Sequence, residues 1–444
     1  MKRIINRLKG SFFKSLAVLT GGSAIAMIAL AVEQVAIARI FTPEAIGIYA
    51  FLISLPHAFL GIICGRYDLT IVYEEKEEHV LPLVKLNILI NLLITSTVTV
   101  GYGVYLLLAK PEYNRFLYLL PAYFIYLFAY GLTNTLNSYN NRYRNYKMIS
   151  KMHVFRTLAQ CGGTVAFGLI FLIVFQLDDI KFGVPSLVIP YCVGMLFGVV
   201  SQARELIERR AEIKAIPLTE VWAMAKLHKK QPLLSAPAIF ANGFSYSLIT
   251  IFTEGLYGEA ATGYYSLSTK LLGMPISLIS GNLSKVFMER AAKEYEKTGG
   301  YIRAFRKTLL FLVSLAIPMF FCMYFLAPPV CAWLFGDDWV IAGEYIKILA
   351  LMFSVRFVAT AMSVGLYVCK KQQAELFIQS LFMLITLSAG IVSYVLALDI
   401  MSYFLLVSIV RSCVMIIHVL LVYYYARGGY KKKNIKSDSY TVDD

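Results

Sequence analysis

Apolar residues run almost unbroken for twenty or more positions at a time, and short polar connections separate the runs. Neither the strict alternation of a half-buried strand nor the narrow stripe of a surface helix is present over these stretches. A membrane-crossing helix needs about 20 consecutive apolar residues, so the pattern predicts repeated crossings. Twelve helices are expected, at about 15–41, 46–65, 83–109, 116–138, 154–176, 183–203, 233–257, 262–286, 307–327, 341–369, 376–397 and 401–426. The fold class is therefore all-α, a polytopic membrane protein.

Composition agrees. Hydrophobic residues make up 58% of the chain, charged residues only 16%, and mean hydropathy is +0.65. The charge is also one-sided. Alternate connections hold Arg66 and Lys76, then Arg142, Arg144, Lys147, Lys151 and Arg156, then a long basic stretch over 204–230. The intervening connections hold only Lys110, Arg115 and Lys181. The positive-inside bias puts both termini in the cytoplasm. It also accounts for much of the net charge of +15, so nucleic acid is not expected as a partner.

Residues 1–14 set Ile5, Leu8 and Phe12 on one helical face with basic residues elsewhere, which suits a helix lying in the cytoplasmic interface. The apolar stretch after Lys14 is too long for the core of a cleaved signal peptide. Seven cysteines without a C-x-x-C spacing support neither a disulfide framework nor a zinc site. No ATP-binding loop, H-E-x-x-H or G-x-S-x-G occurs, so neither an enzyme nor a cofactor is indicated. Asp178-Asp179 and Asp337-Asp338 read as solvated turns in outward loops.

The connection 204–232 splits the helices six and six. This gives an N-lobe over 15–203, a C-lobe over 233–426 and a basic-then-acidic tail over 427–444. A faint repeat supports the division. Gly47-Ile48-Tyr49 follows Glu44-Ala45, and Gly263-Tyr264-Tyr265 follows Glu259-Ala260. Gly65 and Gly281 align at the same offset. Parallel repeats of this kind place a substrate path between two lobes.

Charges inside spans are costly and mark function by default. They are Glu33 and Arg39 in the first helix, Glu254 in the seventh, Lys270 in the eighth, Arg356 in the tenth and Arg411 in the twelfth. Arg39 lies near a helix end, where its side chain can snorkel. Lys270 shares a small, polar face with Ser277, Gly281 and Ser284, and Arg411 one with Ser408, Met415 and His418. For each charge the competing role is a structural ion pair within the bundle. The balance favours cations, which suits an anionic passenger held by charge-assisted hydrogen bonds. Glu33 and Glu254 are the candidates for a coupling ion.

Four stretches then carry a family resemblance. They are Leu19-Thr20-Gly21-Gly22-Ser23-Ala24 with Phe41-Thr42-Pro43-Glu44-Ala45-Ile46-Gly47-Ile48-Tyr49; Cys64-Gly65-Arg66-Tyr67-Asp68-Leu69-Thr70; Gly263-Tyr264-Tyr265-Ser266-Leu267-Ser268-Thr269-Lys270-Leu271-Leu272-Gly273-Met274-Pro275; and Leu334-Phe335-Gly336-Asp337-Asp338-Trp339. In series they resemble the polysaccharide-transporter branch of the multidrug/oligosaccharidyl-lipid/polysaccharide (MOP) flippases, the Wzx-type O-antigen flippases. The resemblance implies two six-helix lobes around a central cavity, alternating access and no cofactor. It implies a passenger built on undecaprenyl pyrophosphate, carried to the periplasmic leaflet for O-antigen, capsule or exopolysaccharide assembly. The polymerase and chain-length proteins of that pathway would be partners alongside membrane lipid. Related peptidoglycan-precursor flippases use arginines on the first, second and eighth helices. Lys270 and, more loosely, Arg66 stand as counterparts on the eighth and second. Two competitors remain: a cation-coupled drug or metabolite antiporter of the same superfamily, which would want an acidic cavity, and a membrane polymerase or ligase, which would carry a large outer loop.

Overall fold

In a computed structural model, the described residues are 2–175, 180–369 and 371–428, with side-chain positions from residue 21 onward except 174–182. Asp178, Asp179 and the tail from residue 429 lie outside them, as do the side chains of the N-terminal segment. All regular structure among the described residues is helical.

Residues 1–263 form one compact unit and 264–444 a second. The first contains α1 (Lys2–Ile40), α2 (Pro43–Ala58), α3 (Asp68–Tyr73), α4 (Val80–Ala109), α5 (Leu120–Arg142), α6 (Tyr146–Phe175) and α7 (Ile180–Gly194). Four short helices follow: α8 (Val199–Gln202), α9 (Arg204–Glu208), α10 (Arg210–Ala215) and α11 (Leu218–Leu227). Helix α12 (Ala236–Pro275) passes from the first unit into the second. The second unit continues with α13 (Gly281–Thr298), α14 (Ile302–Phe335), α15 (Val340–Met362), α16 (Gly365–Val368), α17 (Gln372–Val395) and α18 (Ile400–Ala426). The first helix is continuous over Lys2–Ile40, where the sequence suggested a separate interfacial helix over 1–14.

Among the described residues, eleven segments are long and apolar enough to cross a membrane. One of them, Gln231–Thr298, has 68 residues and takes in both the seventh and eighth expected crossings. The break inside it is Gly258, at φ 85° and ψ −177°, a conformation that suits only glycine. The outer surface carries Leu310, Phe311, Phe325 and Trp333 on α14, all exposed, as a lipid-facing surface requires. Local chemistry sets the helix starts. Thr42 caps α2 through its hydroxyl, with Pro43 in the first turn. Asp399 caps α18 by accepting from the amides of Met401 and Ser402.

The repeat glycines have a structural counterpart. A Cβ on Gly47 would lie 1.8 Å from the Glu259 carbonyl oxygen, and one on Gly263 would lie 1.9 Å from that of Pro43. The two contacts exchange under the repeat offset, so α2 and α12 cross through equivalent positions on each other. Only glycine permits backbones this close.

The connection at 204–230 is packed rather than loose. Leu206, Val221, Met224 and Ala225 bury themselves against Tyr67, Ile71, Val84 and Tyr139. Lys85 Nζ donates to the carbonyls of Lys214 and Ile216, closing the end of α10. Glu74 completes the clamp, its carboxylate meeting His79 Nδ1 and His228 Nε2, each at 2.9 Å. Burial pushes the Glu74 carboxyl up, but hydrogen bonds from His79 and the Lys76 amide, with His228 nearby, outweigh it and hold the pKa below its ordinary value. A depressed carboxylate contributes stability that is complete above its unfolded pKa and is lost as pH falls through the folded one. Amide exchange over 218–231, corrected for intrinsic rates, is therefore expected to rise on acidification below about pH 4.5. Glu74→Gln is expected to raise it at pH 7 and flatten the dependence. Unchanged exchange in that variant would show that the clamp holds nothing.

Candidate functional site

Ionisable residues within the spans fall into separate groups in the two units. In the first unit, α1 carries Glu33 inward, 6% exposed. Its carboxylate accepts from Thr164 Oγ1 at 2.6 Å, Cys161 Sγ at 3.3 Å and Gln34 Nε2 at 3.4 Å. All three donors are neutral. Beyond it a tyrosine cluster continues: the Tyr49 and Tyr191 rings meet edge-on, and the Tyr126 hydroxyl lies 3.4 Å from that of Tyr191 and 3.5 Å from His57 Nδ1. Arg39, near the end of the same helix, is exposed.

Glu254 has a different setting. Lys110 Nζ lies 2.7 Å from its carboxylate and the Tyr113 hydroxyl donates to it at 2.8 Å. Lys110 also approaches Glu112 at 3.3 Å. The geometry is that of a partly buried ion pair tying α12 to the connection after α4.

Arg66 follows the end of α2 in a tight turn where two consecutive residues are left-handed, Gly65 at φ 57° and Arg66 at φ 65°. A non-glycine residue there costs about 1–2 kcal/mol, the kind of local strain that clusters at working sites. The Arg66 guanidinium donates from Nε to Ser235 Oγ at 3.4 Å. Asp68 is buried beside it. Burial pushes the Asp68 carboxyl up, with Arg66 drawing it partly back.

Sequence reasoning counted Arg156 as a loop charge. It sits inside α6, about ten residues or roughly 15 Å along the helix from its start, and is only 5% exposed. Its Nη2 donates to Gln202 Oε1 at 3.1 Å, and its Nε has no partner.

In the second unit, Lys270 on α12 and Arg356 on α15 are half-buried, the Arg356 guanidinium 5.4 Å from the Phe353 ring centre. Arg411 on α18 is 1% exposed, donates to Thr386 Oγ1 at 2.7 Å and lies over the Phe382 ring. Ser408, Met415 and His418 are buried with it, as the shared face implied. His418 Nε2 lies 3.2 Å from Glu375, which also accepts from Gln379 at 2.6 Å. The expected Lys270 face does not survive as a straight stripe. A π-helical turn at Ile276–Ser280 adds a residue to the turn between Lys270 and Gly281. Ser277 is consequently exposed, while Ser280 is buried and donates to the Phe357 carbonyl at 2.7 Å. Among the described residues no group of three His, Cys, Asp or Glu is placed to share a metal ion.

Residues 36–344 match the model of a family described as polysaccharide biosynthesis protein. The chain belongs to that family. No curated protein sequence matches it. Among solved structures it is similar to an inward-facing multidrug resistance MATE family transporter of the MOP superfamily, with a TM-score of 0.61, 13% identity and 96% of each chain covered. It is similar also to the lipid II flippase MurJ in an inward closed conformation, with a TM-score of 0.64, 12% identity and 96% and 93% of the two chains covered. A MOP superfamily transporter from Pyrococcus furiosus gives a TM-score of 0.62 at 14% identity, covering 93% and 96%. The fold is therefore the polytopic transporter fold of that superfamily, in a member of the polysaccharide biosynthesis family.

Proposed function

We propose that this protein is a flippase that carries an undecaprenyl-pyrophosphate-linked oligosaccharide repeat unit from the cytoplasmic to the periplasmic leaflet by alternating access. The observation that carries the reading is the cationic bias of the spans in a polysaccharide biosynthesis family member. Lys270, Arg356 and Arg411 lie within the spans of the second unit, and the buried acid there, Glu375, is engaged by His418 and Gln379. Guanidinium and ammonium groups recognise phosphate through charge-assisted hydrogen bonds, and their cost in a bilayer is repaid by an anionic passenger. Glu33, surrounded by neutral donors, is the coupling-ion site in this reading.

A drug antiporter is less well supported, because Glu254 is held by Lys110 and Glu375 by His418 and Gln379, which leaves Glu33 among the buried span acids of the described residues for its acidic cavity. A polymerase or ligase lacks its large catalytic loop among the described residues.

The test is reconstitution in liposomes with a lipid-pyrophosphate oligosaccharide, scoring its arrival in the opposite leaflet. No arrival with correctly inserted protein and an imposed ion gradient of either sign would end the proposal. The orientation has its own check. In a cysteine-free background, a cysteine at exposed Glu112 is expected to react with an impermeant thiol reagent from the periplasmic side, and one at exposed Lys229 only after permeabilisation. The reverse pattern would invert the direction of transport.

A further inference from the structure

We propose that an anionic phospholipid of the inner leaflet seats on the second unit, with an acyl chain in an apolar groove among α14, α15 and α18 and its phosphate against Arg306 and Arg427. The choice of leaflet rests on the orientation proposed above; the class of lipid does not depend on what the passenger is.

Helices α14 and α18 each pack along α15 but scarcely on each other. This leaves α15 as the floor of a groove and the other two as its walls. The groove has a volume of about 530 Å³, within the roughly 300–1,000 Å³ of ligand sites. Its lining runs from Leu309 to Phe321 on α14, over Val355 and Val358 on α15, and from Ile416 to Leu420 on α18. No charged side chain lines it, and its one polar residue, Ser354, keeps its hydroxyl oxygen buried. Such a space offers water no hydrogen-bond partner, so hydrocarbon is what fills it. Length decides which hydrocarbon. From Leu309 to Phe321 α14 rises about 18 Å, close to the roughly 15 Å depth of one leaflet. An acyl chain matches that depth, whereas a polyprenyl tail is far longer and would leave most of itself outside. The groove starts about two turns from Ile302, the first residue of α14, and reaches within about two turns of Ala426, the last of α18. It therefore lies toward the basic ends of these helices, the ends that face the cytoplasm in the proposed orientation.

The inner rim of the groove supplies partners for a phosphate. Arg306 lies one helical turn before Leu309 on the same face of α14, and Arg427 follows the last residue of α18; both are exposed. The two walls meet at this rim. The Phe305 and Tyr423 rings are 5.5 Å apart, and the Arg427 guanidinium lies 4.8 Å from the Tyr423 ring centre. The Tyr301 amide donates to the Ala426 carbonyl at 2.9 Å, which pins the end of α18 to the start of α14. The arginines thus flank one closed rim at headgroup depth, and Lys307, exposed beside Arg306, adds to its charge. Among the described residues none of the three is in an ion pair. Basic side chains at a membrane surface attract anionic lipid, and a guanidinium holds phosphate by charge-assisted hydrogen bonds. A net negative headgroup gains from the whole rim, whereas a zwitterionic one brings a cation of its own.

The purified full-length protein in neutral detergent is titrated with palmitoyl-oleoyl phosphatidylglycerol, with phosphatidylcholine of the same chains and with undecaprenyl phosphate, and bound lipid is counted by native mass spectrometry. The wild type is expected to show saturable phosphatidylglycerol binding at least tenfold tighter than its phosphatidylcholine binding. Val355→Phe fills the floor of the groove and is expected to weaken phosphatidylglycerol binding at least tenfold. The double variant Arg306→Gln, Arg427→Gln is expected to bring phosphatidylglycerol down to the phosphatidylcholine affinity. Both arginines are exposed, so this variant carries the test should Val355→Phe not assemble. Equal wild-type affinity for the two phospholipids overturns the proposal, as does unchanged phosphatidylglycerol affinity in either folded variant. Displacement of phosphatidylglycerol by an equal concentration of undecaprenyl phosphate overturns it in favour of a polyprenyl chain. Each of these results leaves the flippase reading to its own test in liposomes.

Discussion

Lys270→Ala is expected to cut transport of a lipid-pyrophosphate oligosaccharide in liposomes by at least tenfold, with folded protein still inserted. Hydrogen bonds to charged groups contribute about 1.5–3 kcal/mol each, and every 1.4 kcal/mol is tenfold in affinity. Lys270 sits on the second half of α12, one turn and a half before Pro275 and the π-helical turn that follows it. Single-turn π segments recur at functional positions, where they re-aim side chains. Lys270→Arg is expected to keep most activity, because an ammonium acts as a point charge and the guanidinium retains that charge. A structural ion-pair role would give the opposite signature: lowered melting temperature in Lys270→Ala with transport per folded molecule unchanged. Measuring both quantities on the same preparation separates the two.

Much of the architecture was legible because bilayer thickness imposes a length on apolar runs. The seventh and eighth expected crossings fall in one 68-residue helical segment, and Gly258, the residue with non-helical backbone inside it, lies between them. The pairing of Gly47-Ile48-Tyr49 with Gly263-Tyr264-Tyr265 was a weak signal of composition, yet the two glycines are the positions at which α2 and α12 touch. Close backbone approach is one of the few tertiary facts that a single residue type can announce.

The site was harder to read, for identifiable physical reasons. The stripe through Lys270, Ser277, Gly281 and Ser284 assumed 3.6 residues per turn throughout, and the π-helical turn at Ile276–Ser280 breaks that assumption. No composition rule announces such a turn. Arg156 was assigned to a connection because basic residues crowd the stretch before it, although α6 begins at Tyr146. Its available signal was the phase: Met152, Arg156 and Thr157 share a buried face while Phe155 and Leu158 are exposed. The packing of the 204–230 connection was hidden because its charges dominate its few apolar residues.

Lys110→Ala is expected to destabilise the protein by about 2 kcal/mol, somewhat below the 3–5 typical of stranding one member of a buried pair. The reason for the lower figure is that the Lys110 side chain is 18% exposed against 7% for Glu254, so water and Glu112 already share its charge. Its removal leaves the Glu254 carboxylate, 7% exposed, with the hydrogen bond from the Tyr113 hydroxyl at 2.8 Å and no cation to balance its charge. Sequence reading could not find this pair, because the partners are 144 residues apart and Lys110 was counted as an outer-loop charge. Glu254→Gln in the Lys110→Ala background removes the stranded charge, and is expected to recover at least half of the lost stability. The cycle isolates the pairwise coupling. If Glu254 were instead a coupling-ion site, Glu254→Gln alone would abolish gradient dependence of transport while leaving the melting temperature unchanged. A scaffold pair predicts the reverse: a lowered melting temperature, with the gradient dependence residing in Glu33, whose carboxylate is met by neutral donors.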